Sequence, residues 1–201
     1  MSRIVVPGEL LAQTPLRIEN AIIEEEKTYS TVLGIYNEEK TSLVALEGLW
    51  YPIRGDIVIG IIEEARLNSY SVDLNSPYKG IIIAKFVETR LERGDVVECE
   101  VKEMDDTKTV VLMRPKKLFG GKVVDVRPSK IPRVIGKANT MVQQIRDGTK
   151  AVIMVGMNGR IWVKGGNVAL AVQAILKIGE EAHTSGLTER IKTLLQSTPG
   201  V

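Results

Sequence analysis

Hydrophobic residues in the first quarter of the chain occur in short runs separated by glycine, proline and polar turns, a spacing that predicts β-strands. Three runs fall at residues 3–6, 31–36 and 42–46, the last two separated by the polar turn at residues 37–40. A β module this small buries little apolar surface by itself. We therefore expect it to rest on another domain or on a partner.

The next part of the chain carries five further runs with strand character. They lie at residues 57–62, 70–74, 80–84, 96–101 and 109–113, with one short helix-compatible link at residues 86–91. Five strands within about 60 residues are typical of an OB-type barrel, and a small two-sheet sandwich fits less well. Phe86 adjoins an apolar run, so it is expected in the core.

After residue 121 the pattern changes from period two to a mixture of strands and helices. A strand at 122–126 precedes a helical turn from Ser129, a loop at 136–139 and a second helix ending near 147. Strands at 151–155 and 160–163 are joined through Asn158-Gly159, a strong hairpin signal, and Asn167 is placed to cap a long helix. An amphipathic segment at 187–195 follows. This order is that of a KH domain with an N-terminal strand.

The predicted architecture is multidomain, β-rich and then α+β. It comprises an N-terminal β module at residues 1–52, an OB-fold barrel at 53–118, and a KH domain with C-terminal helices at 119–201. The net charge of +2 conceals a strong asymmetry between these parts. Residues 1–113 hold 12 Lys and Arg against 20 Asp and Glu, whereas residues 114–164 hold 12 against 2. A net charge of +10 in 51 residues suits a phosphate backbone, and a solvated basic face without a ligand is the alternative.

The loop between the two short helices carries the best candidate chemistry. KH domains hold single-stranded nucleic acid by a glycine loop whose small residues let phosphates approach main-chain N–H groups. Gly136 provides that freedom here, Lys137 adds a charge, and Asn139 occupies the position of the second glycine. Asn tolerates left-handed backbone angles, but its side chain crowds the approach. We expect a weakened clamp without sequence selectivity.

Further RNA contacts are predicted on both sides of this loop. In the KH domain the basic candidates are Arg127, Lys130 and Arg133. In the barrel the candidates are Tyr70, which would stack on a base, and Arg66 and Lys79, which would contact the RNA phosphate backbone. Tyr70 shares its alternating face with core positions, so a place in the core is the alternative. The barrel is acidic and poor in aromatic residues, which predicts a weak direct hold on RNA.

Enzymatic chemistry finds little support in the sequence. The single histidine, His183, lies on a late helix and reads as a surface residue, and the acidic pairs are adjacent residues whose side chains diverge. The lone Cys99 alternates with valines and is expected in the core. We predict no catalytic site, no metal and no cofactor. No apolar run has the length of a membrane span and no signal peptide is recognisable, so a cytoplasmic location is expected.

Several segments together resemble a known family. Residues 6–9 and 51–60 are similar to the start of an RNA-binding domain of the ribosomal protein S-one type. Residues 131–137 and 156–162 resemble the KH domain of the RNA-binding cap subunit of the archaeal exosome, in which a Gly-x-Asn-Gly signature matches Gly156 to Gly159. The resemblance implies a non-catalytic subunit that binds single-stranded RNA. It also implies three copies docked through the N-terminal domain on a ring of phosphorolytic subunits, with the barrels around the pore.

Two other functions stay open at this point. A transcription elongation or antitermination factor uses the same domain types, but such factors usually carry two KH domains and this chain has room for one. A nuclease or phosphorylase in its own right is the third, and it lacks the acid and base residues that such chemistry needs.

Overall fold

A computed structural model describes residues 2–18, 20–39, 41–45, 48–182, 184 and 186–197. Contacts between Cα atoms divide the chain into two compact units, residues 1–49 and residues 50–201. Two predicted features, the surface position of His183 and the strand end at Leu46, lie outside the described residues.

The N-terminal unit consists of two three-stranded antiparallel sheets. Its strands are β1 (Ser2–Val5), β2 (Leu10–Ala12), β3 (Ala21–Glu24), β4 (Lys27–Ser30), β5 (Gly34–Asn37) and β6 (Ser42–Ala45), in the orders β1-β5-β6 and β2-β4-β3. Its core is formed by Val5, Leu11, Tyr36 and Leu43. The predicted β character is confirmed. β2, β3 and β4 were not predicted, because each has only three or four residues and β4 carries a lysine and no apolar run.

The second unit begins with a closed five-stranded barrel, as predicted. Its strands are β7 (Ile57–Ala65), β8 (Ser69–Asp73), β9 (Lys79–Ile83), β10 (Val96–Met104) and β11 (Thr109–Leu118), in the order β10-β11-β9-β8-β7. Only the β9–β11 pair is parallel among these. Cys99 lies in the barrel core as expected, and burial raises the pKa of its thiol to about 12, so the thiol stays protonated.

The link between β9 and β10 differs from its prediction. A 3-10 turn covers Ala84–Phe86 and the chain then runs without helix to β10. Phe86 was predicted in the core, and this is wrong, since 64% of its surface is exposed. Leu91, which is 2% exposed, packs into the barrel core from this link.

The KH region has the predicted element order. It comprises β12 (Lys122–Asp125), α1 (Ile131–Ile135), α2 (Thr140–Thr149), β13 (Val152–Val155), β14 (Arg160–Lys164), α3 (Val168–Glu181) and α4 (Leu187–Ser197). The antiparallel sheet has the order β12-β14-β13, and all four helices contribute to one apolar core with it. Asn167 caps α3 as predicted, because its side-chain oxygen accepts a hydrogen bond of 3.0 Å from the Leu170 amide.

A buried hairpin turn joins the KH domain to the barrel. The segment Gly156 to Gly159 connects β13 to β14, as its sequence predicts. Asn158 is fully buried in this turn. Its Oδ1 accepts from the Ile59 amide at 3.2 Å, and its Nδ2 donates to the carbonyl oxygens of Ile59 and Leu74, each at 2.9 Å. One side chain therefore satisfies three main-chain groups of the barrel, two at Ile59 in β7 and one at Leu74 directly after β8.

Neighbouring residues extend this junction. The Met157 amide donates to the Ile57 carbonyl at 2.8 Å. A Cβ atom on Gly156 would lie 2.7 Å from the Ile59 nitrogen, so only glycine fits there. Arg160, also buried, donates to the Asp73 carbonyl oxygen at 2.7 Å and to its carboxylate at 2.6 Å. The barrel and the KH domain thus share a hydrogen-bonded and packed junction.

Both tryptophans have structural roles. The Trp162 indole donates to the Gly120 carbonyl at 2.7 Å and its ring packs against Ile59 and Leu118 across the junction. The Trp50 indole donates to the Asp56 carboxylate at 2.9 Å and its ring belongs to the barrel core.

Candidate nucleic-acid interface

The loop between α1 and α2 begins at a glycine that no other residue can replace without strain. Gly136 has φ 75° and ψ 168°, a backbone region that is essentially restricted to glycine. A Cβ atom added there would lie 2.7 Å from both the amide nitrogen and the Cβ of Met141. Gly136 therefore lets the chain turn directly over the start of α2.

The remainder of the loop is left-handed and faces solvent. Ala138 has φ 52° and Asn139 has φ 63°, so Asn139 adopts the conformation that its position was predicted to tolerate. The Asn139 amide donates to the Gly136 carbonyl at 3.2 Å, and the Thr140 hydroxyl donates to the Lys137 carbonyl at 2.8 Å. These bonds hold the loop closed without help from the Asn139 side chain.

The first amides of α2 lie next to this loop. Asn139 is the residue before the helix, and its side chain makes no capping hydrogen bond. The amide of Thr140, the first residue of α2, donates to the Lys137 carbonyl. The helix end carries partial positive charge and no side-chain cap from Asn139, which suits the approach of a phosphate.

The predicted basic residues of the KH domain surround the loop in sequence and differ in exposure. Arg133 and Lys137 are exposed, and within the described residues neither forms an ion pair with a carboxylate. Lys130 is half-buried at the end of the 3-10 turn Pro128–Lys130, and Arg127 is exposed immediately before that turn. Arg133 and Lys137 are thus the cations best placed to meet an incoming anion.

The barrel brings two of its three predicted RNA-binding residues into one groove. This groove, of about 630 Å³, is lined by Arg66 and Lys79 and by residues that include Ser71 and Thr109. Arg93 also lines this groove and was not predicted. Its position in a polar Arg-Gly-Asp turn is the sequence signal that indicates its exposure. Tyr70, the third predicted residue, is only 9% exposed and packs in the barrel core.

Acidic neighbours weaken the positive charge of this groove. Glu63 and Glu64 also line it, and Arg66 lies 2.8 Å from the Glu64 carboxylate. The hydrogen bond from Arg66 lowers the pKa of Glu64 below its ordinary value, and the same bond raises the pKa of Arg66. Both groups therefore stay charged, and the Glu64 carboxylate competes with a phosphate for Arg66.

Within the described residues, no three or more His, Cys, Asp or Glu side chains are grouped so that they could hold a metal ion. No helix in the described part of the chain has the length and apolar character that crossing a bilayer requires.

Comparisons with known proteins agree with this geometry. The KH domain family matches residues 121–169, which contain the α1–α2 loop. The exosome complex component Rrp4 of Pyrococcus abyssi is 37% identical, over 96% of this chain and 82% of its own length. The same component of Methanothermus fervidus is 36% identical, over 96% of this chain and 94% of its own length.

A solved structure gives the same assignment. A crystal structure provisionally described as an exosome complex RNA-binding protein superimposes with a TM-score of 0.68 and 32% sequence identity. It covers 75% of this chain and 97% of that protein. With the barrel, the KH domain and near full-length similarity in agreement, the chain belongs to the Rrp4 family of exosome complex components.

Proposed function

We propose that this chain is a non-catalytic RNA-binding subunit of an exosome complex. It captures single-stranded RNA and guides the 3′ end into a phosphorolytic ring for degradation or tailing. The observation that carries this proposal is the α1–α2 loop, in which Gly136 brings the main chain close to solvent beside the exposed Arg133 and Lys137. Membership of the Rrp4 family supports the assignment to an exosome.

The mechanism follows from the chemistry of the loop. Phosphates approach the positively polarised start of α2, where Asn139 makes no capping bond, and Lys137 neutralises part of their charge. These contacts read the backbone and carry no base information, so binding is expected to be independent of sequence. The groove with Arg66, Lys79 and Arg93 supplies weaker contacts along the same strand.

RNA binding is tested by titrating a labelled single-stranded oligonucleotide into the full chain at several salt concentrations. Affinity that falls steeply with salt and differs little between sequences supports the proposal. A chain that binds no single-stranded RNA at low salt would refute it.

The N-terminal unit is proposed to dock on the phosphorolytic ring. Ile4 and Ile35 are directly paired neighbours on β1 and β5, and their exposed fractions are 67% and 36%. Ile22 and Ile23 are also exposed and line a shallow depression with Ile18. Exposed apolar surface of this kind marks protein contacts.

Docking is tested by mass analysis of the native complex. Wild-type chain should co-purify with ring subunits, in three copies per complex, and the double variant Ile4→Glu, Ile35→Glu should be lost from it. Leu176→Glu, at an exposed apolar position on α3, is the matched control and should be retained. Retention of the double variant, folded by circular dichroism, would contradict docking through this surface.

The absence of catalysis is tested by incubating the isolated chain with RNA and inorganic phosphate. No nucleoside diphosphate should appear. Its release would make the chain a phosphorylase, and a stable native complex with RNA polymerase would favour the elongation-factor alternative.

A further inference from the structure

The barrel contains a second groove whose character differs from that of the groove with Arg66. It has a volume of about 750 Å³ and lies between the link that follows β9 and the second half of β11. Leu91 and Leu112, both nearly fully buried, contribute to its lining. Phe86 and Phe119 line it as well, with 64% and 61% of their surface exposed. We call it the phenylalanine groove.

The groove lies where β11 extends beyond the end of β9 at Ile83. The two strands are paired from Thr109 to Leu112, and the pairing ends there. Beyond this point β11 continues to Leu118 and remains paired with β10. β9 therefore provides no pairing partner for the last six residues of β11.

A β-bulge in the pairing of β10 with β11 follows directly after the last residue that pairs with β9. On β10, Glu100 lies opposite Met113 and Glu98 lies opposite Lys116, so the intervening Arg114 and Pro115 face one residue. Arg114 has φ 52°, a left-handed conformation that is uncommon for a residue other than glycine. Bulges bend a strand and redirect its side chains, and they occur often beside binding sites.

Charge in the phenylalanine groove is mainly positive. Its lining includes four cations and one carboxylate: Lys102, Arg114, Lys116, Lys117 and Glu88. Lys117 lies 2.5 Å from the Asp95 carboxylate and 5.5 Å from the centre of the Phe119 ring. These two contacts fix the lysine against the ring.

Arg114 and Lys116 are exposed cations of the groove that can meet a phosphate. Arg114 is 77% exposed and pairs with Glu100 at 2.7 Å, an exposed type of pair that contributes little and that a phosphate can replace. Lys116 is exposed, and no ion pair with a carboxylate is formed by it within the described residues. The basic segment of the sequence begins here, at Arg114.

The phenylalanine groove is better suited to single-stranded nucleic acid than to a partner peptide. A partner peptide could extend the sheet by pairing with the free edge of β11. That edge carries Pro115, which has no N–H group, together with a bulge and two lysines, and these are the features that prevent strand addition. Exposed aromatic rings beside cations are instead the elements that bind single-stranded nucleic acid.

We infer that the phenylalanine groove is a second single-stranded RNA site, in which bases stack on Phe86 and Phe119 while Arg114 and Lys116 contact phosphates. The inference rests on the proposed RNA-binding function. It differs from the expectation that the barrel binds RNA only weakly, because Phe86 lies on the surface and not in the core.

The test is fluorescence anisotropy with the full chain and a labelled oligo(A) of about 12 nucleotides, within the length that one OB fold covers. The double variant Phe86→Ala, Phe119→Ala should bind roughly tenfold or more weakly, because stacking dominates at this site. The double variant Phe86→Leu, Phe119→Leu, which keeps apolar side chains without rings, should be weakened similarly. Leu176→Ala on α3 should bind like wild type. The salt dependence should change little in the phenylalanine variants.

The outcomes separate this inference from the function on which it rests. If wild-type chain binds no RNA, both fail. If wild type binds and the alanine double variant binds equally well, only the groove assignment is overturned. Normal RNA binding by the leucine variant with loss in the alanine variant would show that apolar contact, and not stacking of bases on the rings, holds the RNA, and would also overturn the assignment. Photocrosslinking of 5-iodouridine RNA, expected at Phe86 or Phe119 in the folded wild-type chain, decides the matter without any variant.

Discussion

The segments 136–139 and 156–159 both start with glycine and both lie between two elements of the KH domain, yet they face opposite environments. In the first, Lys137, Ala138 and Asn139 are exposed to solvent. In the second, Asn158 is fully buried and bound to the barrel. The complete Gly-x-x-Gly pattern is therefore found at a structural junction, and the incomplete one occupies the solvent-facing position. Exposure, and not the number of glycines, distinguishes the candidate clamp.

The two asparagines make the same contrast at the level of one side chain. Asn158 satisfies three main-chain groups through its carboxamide, whereas Asn139 makes no capping bond with its carboxamide. Asn139 contributes mainly through its backbone, which adopts a left-handed conformation. Substitutions at the two positions should therefore affect different properties of the protein.

The largest effect is expected for Asn158→Ala. The substitution leaves the amide and carbonyl of Ile59 and the carbonyl of Leu74 buried without partners, and should lower the free energy of unfolding by about 3 kcal/mol. Urea unfolding of the second unit measures it. Asn139→Ala is the matched control and should cost about 1 kcal/mol or less, for its left-handed backbone. An equal loss of unfolding free energy in the two variants would contradict the structural role assigned to the Asn158 side chain.

The next effect concerns RNA affinity. Lys137→Ala should weaken binding a few-fold for all sequences and reduce the slope of log K against log salt by about 0.7, the value for one phosphate contact on a single strand. Salt titration with two unrelated oligonucleotides measures both quantities. Lys192→Ala, at an exposed position on α4, should change neither. An unchanged slope for Lys137→Ala would move the RNA contact away from this loop.

A smaller effect in the opposite direction is expected for Asn139→Gly. The glycine retains the left-handed conformation at φ 63° and removes the side chain that crowds the approach of a phosphate. RNA should bind about twofold more tightly, with the free energy of unfolding lowered by less than about 1 kcal/mol. Weaker binding would show that the asparagine side chain itself contacts RNA.

The smallest effect is expected on the pH dependence of the free energy of unfolding, through the Asp73–Arg160 pair at the junction of the barrel and the KH domain. Burial raises the pKa of Asp73, but hydrogen bonds from Arg160 and the Asn75 amide outweigh it, so the pKa lies below its ordinary value of 3.8. A depressed carboxyl pKa stabilises the folded state above the ordinary pKa, and this stabilisation is lost as pH falls through the folded pKa. The stability difference between wild type and Asp73→Asn should therefore be constant near neutral pH and shrink below pH 3.8. A difference that does not vary with pH in this range would contradict the role of the carboxylate.

The elements that the sequence predicted are those with local causes. The barrel strands follow from alternating apolar positions, and the cap at Asn167 follows from its own neighbours. The burial of Asn158 has no local cause, because its partners Ile59 and Leu74 lie 99 and 84 residues earlier in the chain. A polar residue in a hairpin turn normally faces solvent, so its burial depends on the packing of two domains.

The residues of the candidate site also fall into those with local causes and those that depend on long-range packing. Gly136 and Asn139 were predicted with the correct backbone freedom, because turn geometry is local. The exposure of Phe86 and the burial of Tyr70 were harder to foresee, since both depend on how the barrel closes and where β11 leaves it. The RNA contacts of Arg66, Lys79, Arg127, Lys130, Arg133 and Lys137 stay predictions.

The junction at Asn158 also determines how the two domains can act on one RNA. Because the turn is bonded directly to barrel main chain, little flexible tether separates the barrel from the KH loop. A strand held at one domain would meet the other at a high effective concentration, set by a fixed spacing. Two individually weak contacts would then act as one bidentate grip, and only a strand extended enough to reach both would benefit. Length of single-stranded RNA, more than its sequence, would be the property that such a subunit selects.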